Sequence, residues 1–243
     1  MMKVDTGIIK SNTYIGKDVY KMEIQTDLAD EVQCGQFVEV EVPNYFLRRP
    51  ISVCEVKEDH TIVLVYKVIG NGTRFMTTMH DEISLFGPCG NGFPVVDEDV
   101  LLIGGGVGVP PLLQTAKEYK KIGKNVSVVV GFNTKEDAIL IDELKKYSDA
   151  LYIATMDGSE GTKGTVIDAI NENNVDCEYV LSCGPLLMLK AINTKYTKGC
   201  ISLEARMACG IGACMGCVVK DNEGNSLRVC KDGPVFPIGK VVL

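Results

Sequence analysis

The sequence predicts an N-terminal antiparallel β-barrel, a central parallel α/β domain and a small cysteine-rich C-terminal domain. Residues 1–97 contain short segments in which apolar and polar residues alternate, as they do in half-buried antiparallel strands. Residues 98–198 contain continuous apolar segments separated by helix-like stretches, which is the pattern of a buried parallel sheet. Residues 199–243 are short and rich in Gly and Cys, so we expect a metal centre to stabilise them.

Composition excludes several classes of protein. The 243 residues carry a formal net charge of −7, whereas a nucleic-acid-binding protein would carry a basic surface. No apolar run approaches the length that spans a bilayer, so we expect no membrane segment. The N-terminus lacks the apolar core of a signal peptide, and ten Cys without such a signal predict a reducing, cytoplasmic location.

The predicted barrel rests on three segments. Residues 19–24 and 37–42 alternate apolar with polar side chains, and residues 61–66 are rich in β-branched types. Gly, Pro and Asn lie between these segments, as expected for closely spaced antiparallel strands. A short helix is expected over residues 75–79, with Thr73 as its N-cap.

The predicted α/β domain begins with an apolar strand, residues 100–103, followed by a glycine-rich turn and a helix over residues 112–122. Further strands are expected at residues 126–130, 151–155 and 179–182. The turn contains Gly104, Gly105, Gly106 and Gly108. Backbone N–H groups at such a strand-to-helix turn favour a pyrophosphate, although a tight turn without a ligand would look the same.

The glycine turn departs from the usual dinucleotide fingerprint. Counted from Gly104, the third glycine position is occupied by Val109, and no acidic residue ends the next strand, where Gly131, Phe132 and Asn133 stand. Residues 131–137 offer one Lys beside two acids and no Arg, which favours NADH over NADPH. At the end of the last strand stand Cys183, Gly184 and Pro185. Ligands bind at this edge of parallel sheets, so Cys183 is either a nicotinamide contact or a buried structural thiol.

Four cysteines near the C-terminus carry the strongest chemical signal. Cys209, Cys214 and Cys217, followed by Cys230, have the spacing C-x4-C-x2-C-x12-C, which is the plant-type signature of a [2Fe–2S] cluster. Glycines among the first three allow the tight backbone that brings three thiolates together. Zinc is the main alternative, but structural zinc sites usually use two close pairs. Disulfides are a second alternative and would need an oxidising compartment.

Two weaker motifs lie in the barrel region. Arg49 offers a planar fork for a phosphate and Ser52 a hydroxyl donor, while Gly72 and Thr73 precede the expected short helix. The alternative for each is a turn that carries a surface Arg.

The order of these motifs resembles the ferredoxin reductase-like flavoproteins and, within them, the electron-transfer subunits of type B dihydroorotate dehydrogenases. The resemblance covers essentially the whole chain. Its most specific parts are residues 49–52 (RPIS), 87–94 (GPCGNGFP) and 202–214 (SLEARMACGIGAC).

This resemblance implies three cofactors. It places NAD over residues 104–111 and a [2Fe–2S] cluster on the four cysteines. It places FAD on the following residues: Arg49, Pro50, Ile51, Ser52, Tyr66, Lys67, Val68, Gly72 and Thr73.

The resemblance also implies a partner. An FMN-containing catalytic subunit would oxidise dihydroorotate, and electrons would pass through the cluster and FAD of this chain to NAD⁺, in a heterotetramer with two copies of each subunit. With only two His, the chain shows no acid–base constellation of its own for dihydroorotate. Alternatives are a subunit of an NADH-dependent ferredoxin:NADP oxidoreductase or of a hydrogenase, and, outside the enzymes, a zinc-stabilised binding module.

Overall fold

Six strands of the computed structural model, which describes residues 2–243, close into an antiparallel barrel. Their order around the barrel is β1-β2-β5-β4-β3-β6. The strands are β1 (Lys3–Gly16), β2 (Val19–Gln25), β3 (Phe37–Val40), β4 (Arg49–Lys57), β5 (Thr61–Lys67) and β6 (Glu82–Cys89), and the helix α1 (Asn71–Met76) links β5 to β6.

The alternation of side chains along β3 shows which face of this strand contacts the rest of the protein. Val38 and Val40 point inward and pack in the barrel core with Ile62 and Leu64. Phe37, the neighbour of Val38, instead packs in the core of the C-terminal half of the protein. Since successive side chains of a strand point to opposite faces, the outer face of β3 lies against the rest of the molecule.

The helix expected over residues 75–79 lies elsewhere. Helix α1 begins at Asn71, with Gly70 as its N-cap, and ends at Met76. Thr73 is therefore inside the first turn rather than at the cap, and its hydroxyl oxygen accepts hydrogen bonds from the backbone of Ile69 (3.0 Å) and Gly70 (3.2 Å). The expectation was wrong because Thr73, with a hydroxyl that can cap a helix, was preferred over Gly70, which has no side-chain acceptor.

The second sheet has seven strands in the order β10-β9-β8-β7-β11-β12-β15, with β15 antiparallel to β12 and the other neighbours parallel. Helices cover both of its faces. The elements are β7 (Val100–Gly105), α2 (Pro110–Lys121), β8 (Val126–Phe132), α3 (Ile141–Lys146), β9 (Ala150–Thr155), β10 (Thr162–Lys163), α4 (Val166–Glu172), β11 (Tyr179–Cys183), α5 (Leu186–Lys195), β12 (Lys198–Ser202), β13 (Val218–Lys220), β14 (Ser226–Arg228) and β15 (Val235–Pro237).

The cysteine-rich segment is built onto this sheet. Strand β12 begins at Lys198, beside the expected boundary at residue 199, and β15 pairs with it, so residues 199–243 share a sheet with the α/β domain. Strands β13 and β14 form a separate antiparallel hairpin. Between Ser202 and Val218 the chain forms the loop that carries three of the four cysteines.

Contacts between β4 and α2 join the barrel to the α/β sheet. The Val56 backbone N–H donates to Gln114 Oε1 at 2.8 Å, and Lys117 Nζ lies 2.7 Å from Glu55 Oε1. Val63 and Val65 of the barrel belong to the same buried cluster as the residues under α2. This packing holds the outer face of the barrel beside the carboxyl edge of the parallel sheet. Within residues 2–243, no helix has the length and apolar character needed to cross a bilayer.

Candidate functional site

The four cysteines come together at the surface of the C-terminal segment. The Sγ atoms of Cys217 and Cys230 are 3.3 Å apart, and both residues are buried. Cys209 and Cys214 are half-buried. The first and last of the four cysteines are 21 residues apart in the sequence. The β13–β14 hairpin pairs Val218 with Arg228 and so brings Cys230 beside Cys217, at the end of the loop that carries the other three.

Backbone N–H groups surround the cysteine sulfurs. The N–H of Gly212 lies 3.1 Å from Cys230 Sγ, and the N–H of Cys214 lies 3.3 Å from Cys209 Sγ. Burial acts to raise the pKa of the Cys209 thiol, but the backbone donors, with that of Cys214 first, lower this pKa to about 6. Burial and the neighbouring Cys217 raise the pKa of Cys230. Because a thiolate is the metal ligand, the donors that favour charged sulfur also favour metal binding.

The thiols are arranged as two pairs. Cys217 and Cys230 form one pair through their Sγ atoms. Cys209 and Cys214 form the other, in which both the N–H and the thiol of Cys214 donate to Cys209 Sγ. In the described part of the chain, no three His, Cys, Asp or Glu side chains surround a single metal-ion position. A [2Fe–2S] cluster has four Cys ligands shared between two irons, so a two-by-two arrangement fits a binuclear centre.

Arg228 connects the fourth cysteine to the loop that carries the first three. Its Nη1 donates to the Gly212 carbonyl at 2.9 Å, and its Nε donates to Asp232 Oδ2 at 3.0 Å. The carboxylate of Asp232 also accepts the Arg228 backbone N–H at 2.7 Å. These bonds hold the Cys230 segment in a defined position, as ligand-orienting contacts around metal centres do.

The two flavin-binding motifs predicted in the barrel region meet at Arg49. The guanidinium of Arg49 lies so close to Gly72 that a Cβ on Gly72 would overlap it. The same guanidinium stacks over the Tyr45 ring, with Cζ 4.5 Å from the ring centroid, and donates to the Leu47 carbonyl. A glycine at position 72 therefore leaves the space in which Arg49 can face a phosphate.

The remaining predicted flavin residues occupy different environments. Pro50 and Ser52 lie opposite Glu39 and Phe37 of β3 and share their outward face. Ile51 packs against the barrel core. Tyr66 is also in that core, and its hydroxyl donates to Asn12 Oδ1 at 3.0 Å.

Burial raises the pKa of Tyr66 to about 12. Because the Tyr66 side chain is buried in the barrel core, a ligand outside the barrel would meet the backbone of this residue. Lys67 is exposed, and the Val68 N–H donates to the Asp18 carbonyl at 2.7 Å.

A cavity of about 290 Å³ opens at the carboxyl edge of the parallel sheet. Of the predicted dinucleotide residues, Gly105, Gly106 and Pro185 line it. Gly106 has φ +52° and open space where a Cβ would project. Helix α2 follows this turn and begins with Pro110 and Pro111, which have no N–H, so the backbone donors for an anionic nucleotide would come from the glycine turn itself.

The other predicted dinucleotide residues serve packing at this turn. A Cβ on Gly104 would lie 2.8 Å from Val109 Cγ2 under helix α2, and a Cβ on Gly108 would overlap the Cys183 carbonyl. A Cβ on Gly184 would lie 2.9 Å from the Gly105 backbone nitrogen. Cys183 is buried, and burial raises the pKa of its thiol to about 12. These close approaches bring the glycine turn and the end of β11 into one unit.

Several cavity residues were not predicted from the sequence. They come from the ends of β8 and β9 and from helices α4 and α5, which only the sheet order places side by side. The additional lining residues are Gly131, Phe132, Asn133, Met156, Gly164, Thr165, Val166, Ile167, Leu187, Met188 and Ala191. In the sequence, the one sign that any of these residues line a ligand site was the position of residues 131–133 at the end of a predicted strand.

The cluster loop packs directly on the barrel. Gly210, next to Cys209, has φ +66°, and a Cβ there would lie 2.5 Å from Glu39 Oε1. On the other side of the loop, the Asn91 N–H donates to the Gly233 carbonyl at 2.7 Å, and Asn91 Nδ2 donates to the Asp232 carbonyl at 3.0 Å. The predicted flavin and cluster residues therefore belong to adjoining surfaces of the barrel and the C-terminal segment.

Comparison with known proteins agrees with this architecture. Residues 102–194 match the family model described as the oxidoreductase NAD-binding domain. Residues 204–242 match the iron–sulfur cluster binding domain of dihydroorotate dehydrogenase B. A solved NADH-dependent reduced ferredoxin-NADP oxidoreductase, studied for flavin-based electron bifurcation, superposes with a TM-score of 0.88 at 32% identity, covering 97% of this chain and 89% of that one. The fold and the cysteine site thus define an oxidoreductase of the ferredoxin reductase type with an iron–sulfur domain.

Two more similar relatives identify the family within this class of oxidoreductases. The electron transfer subunit of dihydroorotate dehydrogenase B (NAD(+)) from Fusobacterium nucleatum is 42% identical, with 97% of each chain covered. The corresponding subunit from Bacillus cereus is 40% identical over the full length of both chains. The chain belongs to the family of dihydroorotate dehydrogenase B electron transfer subunits, which confirms the resemblance noted in its sequence motifs.

Proposed function

We propose that this chain couples the oxidation of dihydroorotate on a partner subunit to the reduction of NAD⁺. The observation that carries the proposal is the contact between the cysteine loop and the outer face of the barrel, where Gly210 meets Glu39 and where Pro50 and Ser52 also lie. A surface loop that can exchange electrons with a partner is thereby held against the predicted flavin-binding strand.

The residues of the chain fit three groups. Cys209, Cys214, Cys217 and Cys230 would hold a [2Fe–2S] cluster, Arg49 and Gly72 with their neighbours would hold FAD, and the cavity at Gly105 and Gly106 would receive NAD. When bound, the cluster carries single electrons, NAD accepts a hydride, and FAD converts between the two.

The protein residues provide position and electrostatics for this chemistry. The N–H groups of Gly212 and Cys214 stabilise negative charge on the cysteine sulfurs. Arg49 supplies a cation for a phosphate, and Gly105 and Gly106 let a nucleotide approach the backbone. As the sequence predicts, we assign the flavin to residues 1–97, NAD to residues 98–198 and the cluster to residues 199–243.

The proposed partner is an FMN-containing catalytic subunit, in a heterotetramer with two copies of each chain in the cytoplasm. Around the cysteine loop, Ile211 is 39% and Met215 is 62% exposed, and Glu204 and Arg206 are also exposed. Apolar side chains ringed by charges are typical of a docking surface, because the charges guide the approach and the apolar groups are buried on binding.

The test is a coupled assay with and without the catalytic subunit. Alone, the chain is expected to oxidise NADH with artificial acceptors and to leave dihydroorotate unchanged. With the partner, dihydroorotate oxidation should reduce NAD⁺, and Cys214→Ser should abolish this link while each half-reaction persists. Turnover of dihydroorotate by the isolated chain, or an intact link in Cys214→Ser, would contradict the proposal.

A further inference from the structure

Glu39 is a buried carboxyl group without a partner for one of its oxygens. It is 2% exposed, and no described residue forms a hydrogen bond with Oε1. Glu41, two residues further along the chain, has the opposite environment: it is exposed and its Oε2 lies 2.6 Å from Arg48 Nη2. The sequence repeats Glu at alternate positions, but only one of the two is enclosed.

The position of Glu39 is between the predicted flavin strand and the cluster loop. On the barrel, Glu39 lies opposite Pro50, so their side chains are neighbours on the outer face. On the other side, Oε1 would lie 2.5 Å from a Cβ on Gly210, the residue that follows the predicted ligand Cys209. Glu39 is thus an acidic residue at the contact that joins the two predicted redox sites.

The carboxyl group of Glu39 is weakly compensated. Arg48 is near, but its Nη1 donates to the backbone carbonyls of Glu39 (3.3 Å) and Ser84 (3.1 Å), and its Nη2 is engaged by Glu41. Burial raises the pKa of Glu39 to about 7, with opposition from Arg48 and a further increase from Cys209. Such a group costs stability compared with an apolar residue, so stability does not explain its presence.

We propose that Glu39 is a positioning residue that lowers the reduction potential of the cluster through the negative charge of its carboxylate. The inference rests on the proposed function, since it requires a cluster on the four cysteines. An electron added to the cluster meets the repulsion of a carboxylate buried against the same loop. A charge that is buried against the cluster loop is screened with an effective dielectric constant of about 20. With that screening, its repulsion of the added electron is enough to change the equilibrium between oxidised and reduced cluster about tenfold.

The experiment is a redox titration of the cluster, followed by electron paramagnetic resonance, in the cluster-loaded full chain. Glu39→Gln keeps the shape and removes the charge. Glu39→Asp keeps the charge, and Glu41→Gln removes an exposed charge just after the same strand. Titrations repeated from about pH 7 to about pH 10 follow the Glu39 carboxyl into its ionised form, and the comparison of variants is made at the alkaline end of this range.

Glu39→Gln is expected to favour the reduced cluster about tenfold, which corresponds to a midpoint shift of 59 mV for one electron. Glu39→Asp and Glu41→Gln should stay within about threefold of the unmodified chain. A change below about threefold in Glu39→Gln, or an equal change in Glu41→Gln, would overturn the inference. Failure of Glu39→Gln to assemble a cluster would overturn it too, because Glu39 would then serve assembly of the loop.

These outcomes are separable from failure of the proposed function. An unchanged potential in Glu39→Gln, with a cluster present and the coupled reaction intact, would reject the role of Glu39 alone. Absence of iron and sulfide from the unmodified chain would instead reject the cluster assignment itself.

Discussion

The guanidinium of Arg49 occupies the space that a side chain at Gly72 would fill. Arg49 begins strand β4 and Gly72 lies in α1, after β5, yet a Cβ on Gly72 would overlap Arg49, whose guanidinium is also stacked over Tyr45 at 4.5 Å. The predicted phosphate-binding Arg and the predicted glycine turn therefore form one cradle, in which a larger residue at position 72 would displace the Arg49 guanidinium.

Gly72→Ala is expected to weaken FAD binding by displacing Arg49. Loss of charge-assisted hydrogen bonds of about 1.5–3 kcal/mol would raise the dissociation constant about 10- to 100-fold. FAD retained after dialysis, measured by absorbance, is the readout. Gly70→Ala is the control, because Gly70 has extended backbone and open space around its Cβ position. Equal FAD retention in both variants would contradict the assignment.

Cys214→Ser is expected to lose the [2Fe–2S] cluster and to keep FAD, since the predicted flavin residues lie on the barrel. Iron and sulfide analysis should give about two of each per unmodified chain. Cys177→Ser is a matched control, because Cys177 is half-buried and its Sγ lies 3.6 Å from the Asp99 carbonyl, away from the loop. Stoichiometric zinc in protein prepared with ample iron would refute the cluster.

NADH is expected to be preferred over NADPH in flavin reduction by at least about tenfold in kcat/KM, because acidic groups repel a 2′-phosphate. After β8, Lys135 is the one nearby cation in residues 131–137, and its Nζ lies 2.9 Å from Glu160 Oε2. Glu160→Ala should release Lys135 and reduce the preference. Comparable kcat/KM values for the two nucleotides in the unmodified chain would refute the prediction.

Glu39→Met is expected to stabilise the folded chain without its cluster, and more at pH 8 than at pH 4.5. The pKa of Glu39 is about 7 in the folded chain against 4.5 as its ordinary value. The contribution of the Glu39 carboxyl to the free energy of unfolding is therefore largest below the ordinary Glu pKa. This contribution is lost as the pH rises through about 7. The gain at the higher pH should be about 2 kcal/mol, measured by denaturant unfolding.

Glu41→Met provides the comparison for that gain. Its carboxylate is exposed and paired with Arg48, so its replacement should change stability by less than about 1 kcal/mol at either pH. A stability gain in Glu39→Met that does not grow with pH would show that the Glu39 carboxyl is not a buried, uncompensated group.

Met215→Glu is expected to weaken association with the catalytic subunit at least about tenfold, since it places a charge in the proposed apolar contact. Val4→Glu is the control, because Val4 is 63% exposed on strand β1 of the barrel, whereas Met215 is 62% exposed on the cysteine loop. Binding measured by calorimetry should separate the two variants. Unchanged affinity in Met215→Glu would show that the catalytic subunit docks on another surface.

Local patterns were sufficient to predict the architecture and the chemical class. Alternation along residues 37–42 predicted a barrel strand, and the apolar run of residues 100–103 predicted a buried parallel strand. Both predictions are confirmed, because periodicity reflects which faces of a strand are buried. The cysteine spacing and the order of motifs predicted the family, because several ligands on a short loop impose a recognisable spacing.

The three-dimensional packing added what no local pattern contained. Glu39 and Glu41 have the same place in an alternating run, but one is enclosed by the cysteine loop and the other is exposed. The contact of Arg49 with Gly72 and the pairing of β12 with β15 likewise join residues that are distant in the chain. Such relations depend on how whole elements are packed, and the energy of a buried group is set by neighbours that its own segment does not specify.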